Sequence, residues 1–172
     1  MKQFIIMSLI SILLASFFHS NKLQAQDLIK YHIAESADLI SPLLNGQILP
    51  SIMVTKIDGS TEQLATFLNG QKTILFFYRG GWCPFCNTQM GQLQKIAGRL
   101  EALGFNLVGI STDAPEGLQK SVEQRDLSYA LLSDYNSAVS SAFGISFFTS
   151  AKTTKRYLAK MDLKNPLQKK PN

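Results

Sequence analysis

From Lys72 to Tyr78 the chain reads KTILFFY, a continuous β-prone apolar run. Unbroken apolar character predicts a strand buried on both faces, as in a parallel sheet. FNLVGIST (105–112) repeats the pattern, and SYALLSD (128–134) predicts a shorter third strand. Between these runs the period lengthens. Leu93, Ile96, Ala97, Leu100 and Leu103 keep helical spacing after Pro84, and Gly104 ends the segment. Pro115 opens a second helix, with Thr112 or Asp113 as its cap and Leu118 and Val122 on one face. NSAVSSAFGI gives a short third helix that stops at Gly144. Strand and helix alternating in this way predict an α/β domain, its parallel strands joined by right-handed crossovers and flanked by helices.

Upstream, DLIKYHIAESADLI (27–40) has the spacing of an amphipathic helix, and SPLLNGQILPS is a punctuated connector. IMVTKIDGST predicts a short strand ending in an Asp58-Gly59 turn, and EQLATFLNGQ a short helix stopped by Asn69-Gly70. Downstream of Gly144 the pattern offers one helix and a basic end.

The first residues follow a different logic. MKQFIIMSLISILLASFF combines Lys2 with an apolar stretch too short for the ~20 residues that span a bilayer. HSNKLQA follows, with Ala25 suited to the position before a signal-peptidase cut. Residues 1–25 are therefore expected to be a cleavable signal peptide. The mature protein is then periplasmic or secreted and meets a membrane only during secretion. Residues 26–148 form the expected domain and 149–172 a basic tail.

Charge divides along the same line. The net charge is +5, but Gln26 to Ala151 carry eight bases against eleven acids. From Lys152 onward there are seven bases and the single acid Asp162. The basic character belongs to a solvated end, and the body has no aromatic-plus-basic pattern for nucleic acid. No glycine spacing marks a dinucleotide or phosphate loop.

The chemistry concentrates in FYRGGWCPFC (77–86), which holds both cysteines of the chain. Structural zinc wants four Cys or His ligands, and after signal removal only Cys83, Cys86 and His32 remain, so no metal is expected. A disulfide across two residues closes too small a loop to add much stability. Redox chemistry fits better. Cys83 precedes the helix that Pro84 opens, where free N–H groups and the dipole favour a thiolate. Arg79 lies four residues upstream and adds a full positive charge, so the Cys83 thiol is expected to be acidified. Cys86, one turn on, is placed to close a disulfide. Cys83 is the candidate nucleophile, Cys86 the candidate resolving thiol, and Arg79 the candidate thiolate stabiliser.

TILFFYRGGWCPFCNTQMGQLQ resembles the peroxiredoxin-like branch of the alkyl hydroperoxide reductase/thiol-specific antioxidant family, on the thioredoxin fold. GQILPSIMVTKIDGSTEQLATFLNGQ, NLVGISTDAPEGLQKS and LLSDYNSAVSSAFGI are similar to its neighbouring segments, so the likeness covers roughly residues 45–148. The resemblance implies reduction of peroxides, or of disulfides, through Cys83. It also implies a thioredoxin-like reductant and no bound cofactor. Typical peroxidatic sites carry a Thr three residues before the nucleophile and a Pro seven before it; here these are Gly80 and Phe76. The closing β-hairpin of the fold, led by a cis-proline, is expected to be missing, because Pro166 and Pro171 precede no apolar strand. On this fold that hairpin covers the strand at 73–78, which becomes an edge without it. The chain is thus expected to be a shortened version of a longer family member. The sequence leaves three readings open: a thiol peroxidase, a thioredoxin-like protein disulfide oxidoreductase, and an inactive truncated member.

Overall fold

The computed structural model describes residues 33–161, with side chains through Arg156. The predicted signal peptide and residues 162–172 of the basic end lie outside the described residues. The described residues begin with a 3-10 turn at Ala37–Leu39 and continue into β1 (Met53–Thr55) and β2 (Thr61–Gln63). Then come α1 (Leu64–Leu68), β3 (Thr73–Phe77) and α2 (Pro84–Ala102), followed by β4 (Asn106–Ser111) and α3 (Pro115–Arg125). The last elements are β5 (Ala130–Ser133), α4 (Ala138–Ala142) and α5 (Ala151–Met161).

The five strands form one mixed sheet in the order β2-β1-β5-β4-β3. The predicted parallel core is present: Thr73 to Phe77 run beside Asn106 to Ile110, and Val108 to Ser111 beside Ala130 to Ser133. The apolar runs form these strands because their side chains serve both faces. Val54, Leu64, Val108, Ile110 and Leu132 pack one layer. Leu107, Leu118, Leu131, Met90 and the two cysteines pack the other. At ~25 cal/mol per Å² of apolar surface removed from water, these two layers supply most of the drive to fold.

Five features depart from the sequence pattern. The segment predicted as a helix over 27–40 is not α-helical in its described part. Ala34 bridges to Phe147, with Ala34 N–H on Ser146 O and Phe148 N–H on Ala34 O, both at 2.9 Å. These long-range bonds take the backbone groups a helix would use. The predicted single strand at 52–61 is instead the first arm of a hairpin. Asp58 Oδ1 accepts from Ser60 N–H and Oγ, and the chain returns as β2 over residues read as the start of a helix. Strand β1 also runs antiparallel to β5, so the sheet is mixed rather than wholly parallel.

The remaining two departures bear on the chemistry. Strand β3 is half-buried rather than enclosed, since among the described residues it pairs only with β4. Helix α3 takes neither Thr112 nor Asp113 as its cap: the N-cap is Ala114, without a side-chain bond. The carboxylate of Asp113 is used elsewhere.

Candidate active site

Strand β3 delivers Tyr78 and Arg79 to the C-terminal edge of the sheet, where open α/β sheets place their ligands. The chain turns through Gly80 and Gly81 and enters α2 at Pro84. Cys83 is the N-cap of this helix, with extended backbone at φ −92° and ψ 113°. Its sulfur takes the place of a capping oxygen and accepts the Cys86 N–H at 3.4 Å. Arg79 Nη2 donates to the same sulfur at 3.0 Å. The guanidinium also stands 5.7 Å from the centre of the Trp82 ring, a cation–π distance. The structure thus brings together all three residues selected from the sequence.

Both cysteines are free thiols and both are buried, Cys83 completely. Burial alone pushes the Cys83 thiol up. The hydrogen bonds from the Cys86 thiol and backbone N–H, with the Arg79 charge and its hydrogen bond, outweigh it and bring the thiol below its ordinary value. Burial, and then the hydrogen bond it shares with Cys83, push the Cys86 thiol the other way. The two neighbouring thiols are thus shifted in opposite directions. This is the asymmetry that nucleophile and resolving thiol require.

The loop carrying these groups is fixed by residues that sequence reasoning missed. Asp113 Oδ2 accepts the Gly81 N–H at 2.7 Å. Asn87 Nδ2 and Arg125 Nη2 both donate to the Gly81 carbonyl, at 2.9 Å and 3.5 Å. Thr112 Oγ1 donates to the Arg79 carbonyl at 3.4 Å. The only signal in the sequence was the Asp-Ala-Pro string at 113–115, which reads as a helix cap. Gly80 is required where it stands. Its φ is +142°, and a Cβ there would collide with the Trp82 indole nitrogen and lie 2.6 Å from Asp113 Oδ1. No threonine fits at this position, so the departure noted in the sequence belongs to the loop's geometry.

A cavity of about 260 Å³ opens elsewhere, lined by Phe67, Glu101, Phe105, Ser128 and Tyr129. It sits at the N-terminal ends of β4 and β5, the end of the parallel sheet opposite the cysteines, and holds none of this chemistry.

A mixed sheet of this order, with an acidified cysteine heading the helix after a parallel strand, defines the class: a thioredoxin-like thiol oxidoreductase. Comparison with known proteins narrows it. The family model for the AhpC/TSA family matches residues 45–161. Peroxiredoxin Bcp of Escherichia coli K12 is 34% identical over 106 residues, 62% of this chain and 67% of that protein. Among solved structures, peroxidoxin BcpB from Mycobacterium tuberculosis superposes with a TM-score of 0.52 at 25% identity, covering 66% of this chain and 67% of that one. Reduced Prx3 of Vibrio vulnificus reaches 0.57 over 59% and 68% of the two chains; at 19% identity it speaks for the fold alone. The chain belongs to the AhpC/TSA family and is a peroxiredoxin-like antioxidant oxidoreductase on the thioredoxin fold.

Proposed function

We propose that the protein reduces hydroperoxides with Cys83 as nucleophile and Cys86 as resolving thiol. The observation that carries this reading is the 3.0 Å contact of Arg79 Nη2 with a sulfur that also caps α2. The Cys83 thiolate attacks one peroxide oxygen. The O–O bond breaks, the alcohol or water leaves with a proton, and Cys83 becomes a sulfenic acid. Cys86 attacks that sulfur, water departs, and a Cys83–Cys86 disulfide remains. A thioredoxin-like dithiol returns two electrons and two protons. Every electron taken by the peroxide is thus supplied by the reductant, and no bound cofactor takes part.

Two observations bear on the substrate. Cys83 is fully buried, which favours a small peroxide over a protein disulfide that must reach the sulfur with a bulky chain. Gly80 offers no hydroxyl to hold the peroxide, which favours the alternative, a thioredoxin-like disulfide reductase. The test is peroxide consumption driven by a dithiol, set beside reduction of insulin disulfides. Peroxide turnover abolished in Cys83→Ser supports the first reading. Insulin reduction without peroxide turnover favours the second, and failure of both in a folded protein leaves an inactive family member.

The apolar segment at the N-terminus supports export to the periplasm or beyond, with removal of residues 1–25. N-terminal sequencing of the exported protein tests this: a start at Gln26 agrees with it, and retention of Met1 contradicts it.

A further inference from the structure

We propose that Asp113 is a positioning residue: by holding the Gly81 N–H, its carboxylate keeps Arg79 against the Cys83 sulfur. The proposal rests on the reading of Cys83 as the reactive thiol.

The sulfur's two donors have different supports. The Cys86 N–H belongs to α2 and comes with the helix. Arg79 does not; it reaches Cys83 across a loop containing Gly80 and Gly81, and glycine is the most conformationally free residue. Something outside the loop must hold it. Asp113 is well suited, because its own backbone is anchored twice. Its N–H donates to Ser111 Oγ at 3.3 Å, and its carbonyl accepts from Ser133 Oγ at 2.6 Å. These are the ends of β4 and β5, two neighbouring parallel strands of the sheet. From that fixed base the carboxylate spans 32 positions of sequence to the Gly81 N–H. Oδ1 meanwhile lies beside Gly80, where an added Cβ would come within 2.6 Å of it. Asn87 and Arg125 hold the next peptide through the Gly81 carbonyl. A carboxylate accepting from a backbone N–H makes a charge-assisted bond, stronger than a neutral one.

The charged and titratable groups around Asp113 are Arg125 from α3 and the buried Tyr78 hydroxyl beyond the end of β3. Burial is the leading influence on the carboxyl and raises it, while the Gly81 hydrogen bond, Ser111 and Arg125 oppose that. A positioning role and a through-space charge role predict opposite signs at the cysteine. If Asp113 acted only by its negative charge, removing the charge would stabilise the Cys83 thiolate. If it acts by position, losing the hydrogen-bond acceptor frees Arg79 and destabilises that thiolate.

The experiment is the pH profile of iodoacetamide alkylation, read at Cys83 and Cys86 separately by peptide mass spectrometry on the full chain. Asp113→Ala is expected to shift the Cys83 profile to higher pH and cut its rate at neutral pH about tenfold, one pH unit's worth. Asp113→Asn keeps an acceptor for Gly81 and is expected to match wild type or react faster. Asp113→Ser, too short to reach, serves in place of the alanine variant if circular dichroism shows that the latter does not fold. A slower Cys83 in Asp113→Asn, or an Asp113→Ala profile unmoved or shifted to lower pH, overturns the proposal. Alkylation needs neither peroxide nor disulfide substrate. A failed peroxidase reading, seen as turnover that survives Cys83→Ser, is therefore distinguishable from a failed positioning role.

Discussion

Arg79 and Cys83 meet across a four-residue separation, and that contact adds to the two Cys86 hydrogen bonds that lower the thiol against its burial. Replacing the guanidinium by a shorter neutral group, Arg79→Gln, removes its charge and withdraws the donor from the sulfur. The alkylation rate of Cys83 at neutral pH is expected to fall about tenfold, because an adjacent opposite charge is worth at least a unit of pKa. The depressed thiol also links to stability. Where the native thiol is ionised and the unfolded one is still protonated, the unfolded state binds more protons, so stability rises with pH. The window runs from the lowered native value of Cys83 up to the ordinary thiol range near 8.5. Urea unfolding under reducing conditions checks this: the advantage of wild type over Cys83→Ser should grow as pH rises through that window. An advantage that shrinks would contradict the assigned sign. At this scale the sequence was informative because Arg79, Cys83 and Cys86 are local to one turn, and helix-end physics applies to any cysteine placed before a proline. Asp113, Asn87 and Arg125 were not legible in the same way. Their role depends on a peptide brought to them by the tertiary fold, and no spacing in the chain records it.

Among the elements, the buried strands and the long helix were readable because their patterns are continuous. Helix α2 follows Pro84 to Ala102, and the predicted stop at Gly104 has φ +79°. The hairpin was missed because its second arm, Thr61–Gln63, is polar and half-exposed and carries no apolar alternation. The segment at 33–40 was misread because the Ala34 backbone pairs with residues 146–148, which local periodicity cannot see. One element depends on a single buried acid. Asp134, 2% exposed, accepts the Val139 and Ser140 N–H groups at 2.7 Å and 2.9 Å and so holds the start of α4. Asp134→Ala leaves both donors without their partner and is expected to cost about 1–3 kcal/mol in urea unfolding. Cys83 alkylation should be unaffected, since the cap lies on a different loop. Met90, fully buried on α2 beside the cysteines, is expected to cost about 2–5 kcal/mol when cut to alanine.

For the molecule as a whole, the described sheet has two outer strands, and one of them, β2, is short and polar. Strand β3, which leads into the candidate site, is the edge of the described sheet, and Ile74 on it is 38% exposed. An apolar edge offers unpaired backbone groups to another chain. Ile74→Lys is expected to raise the concentration at which light scattering begins. It should leave the circular dichroism spectrum unchanged and stability within about 0.5 kcal/mol, as for most surface changes. Earlier onset of scattering would contradict that view of the edge. The same strand carries Arg79 to the sulfur, so the chemistry turns on what Cys83 and Cys86 do together. It is tested most directly by treating the reduced protein with one equivalent of hydrogen peroxide and mapping the products by mass spectrometry. The account predicts a Cys83–Cys86 disulfide in wild type. In Cys86→Ser it predicts a sulfenic acid on Cys83 that dimedone traps. Equal trapping in both proteins, or oxidation that spares Cys83, would contradict it.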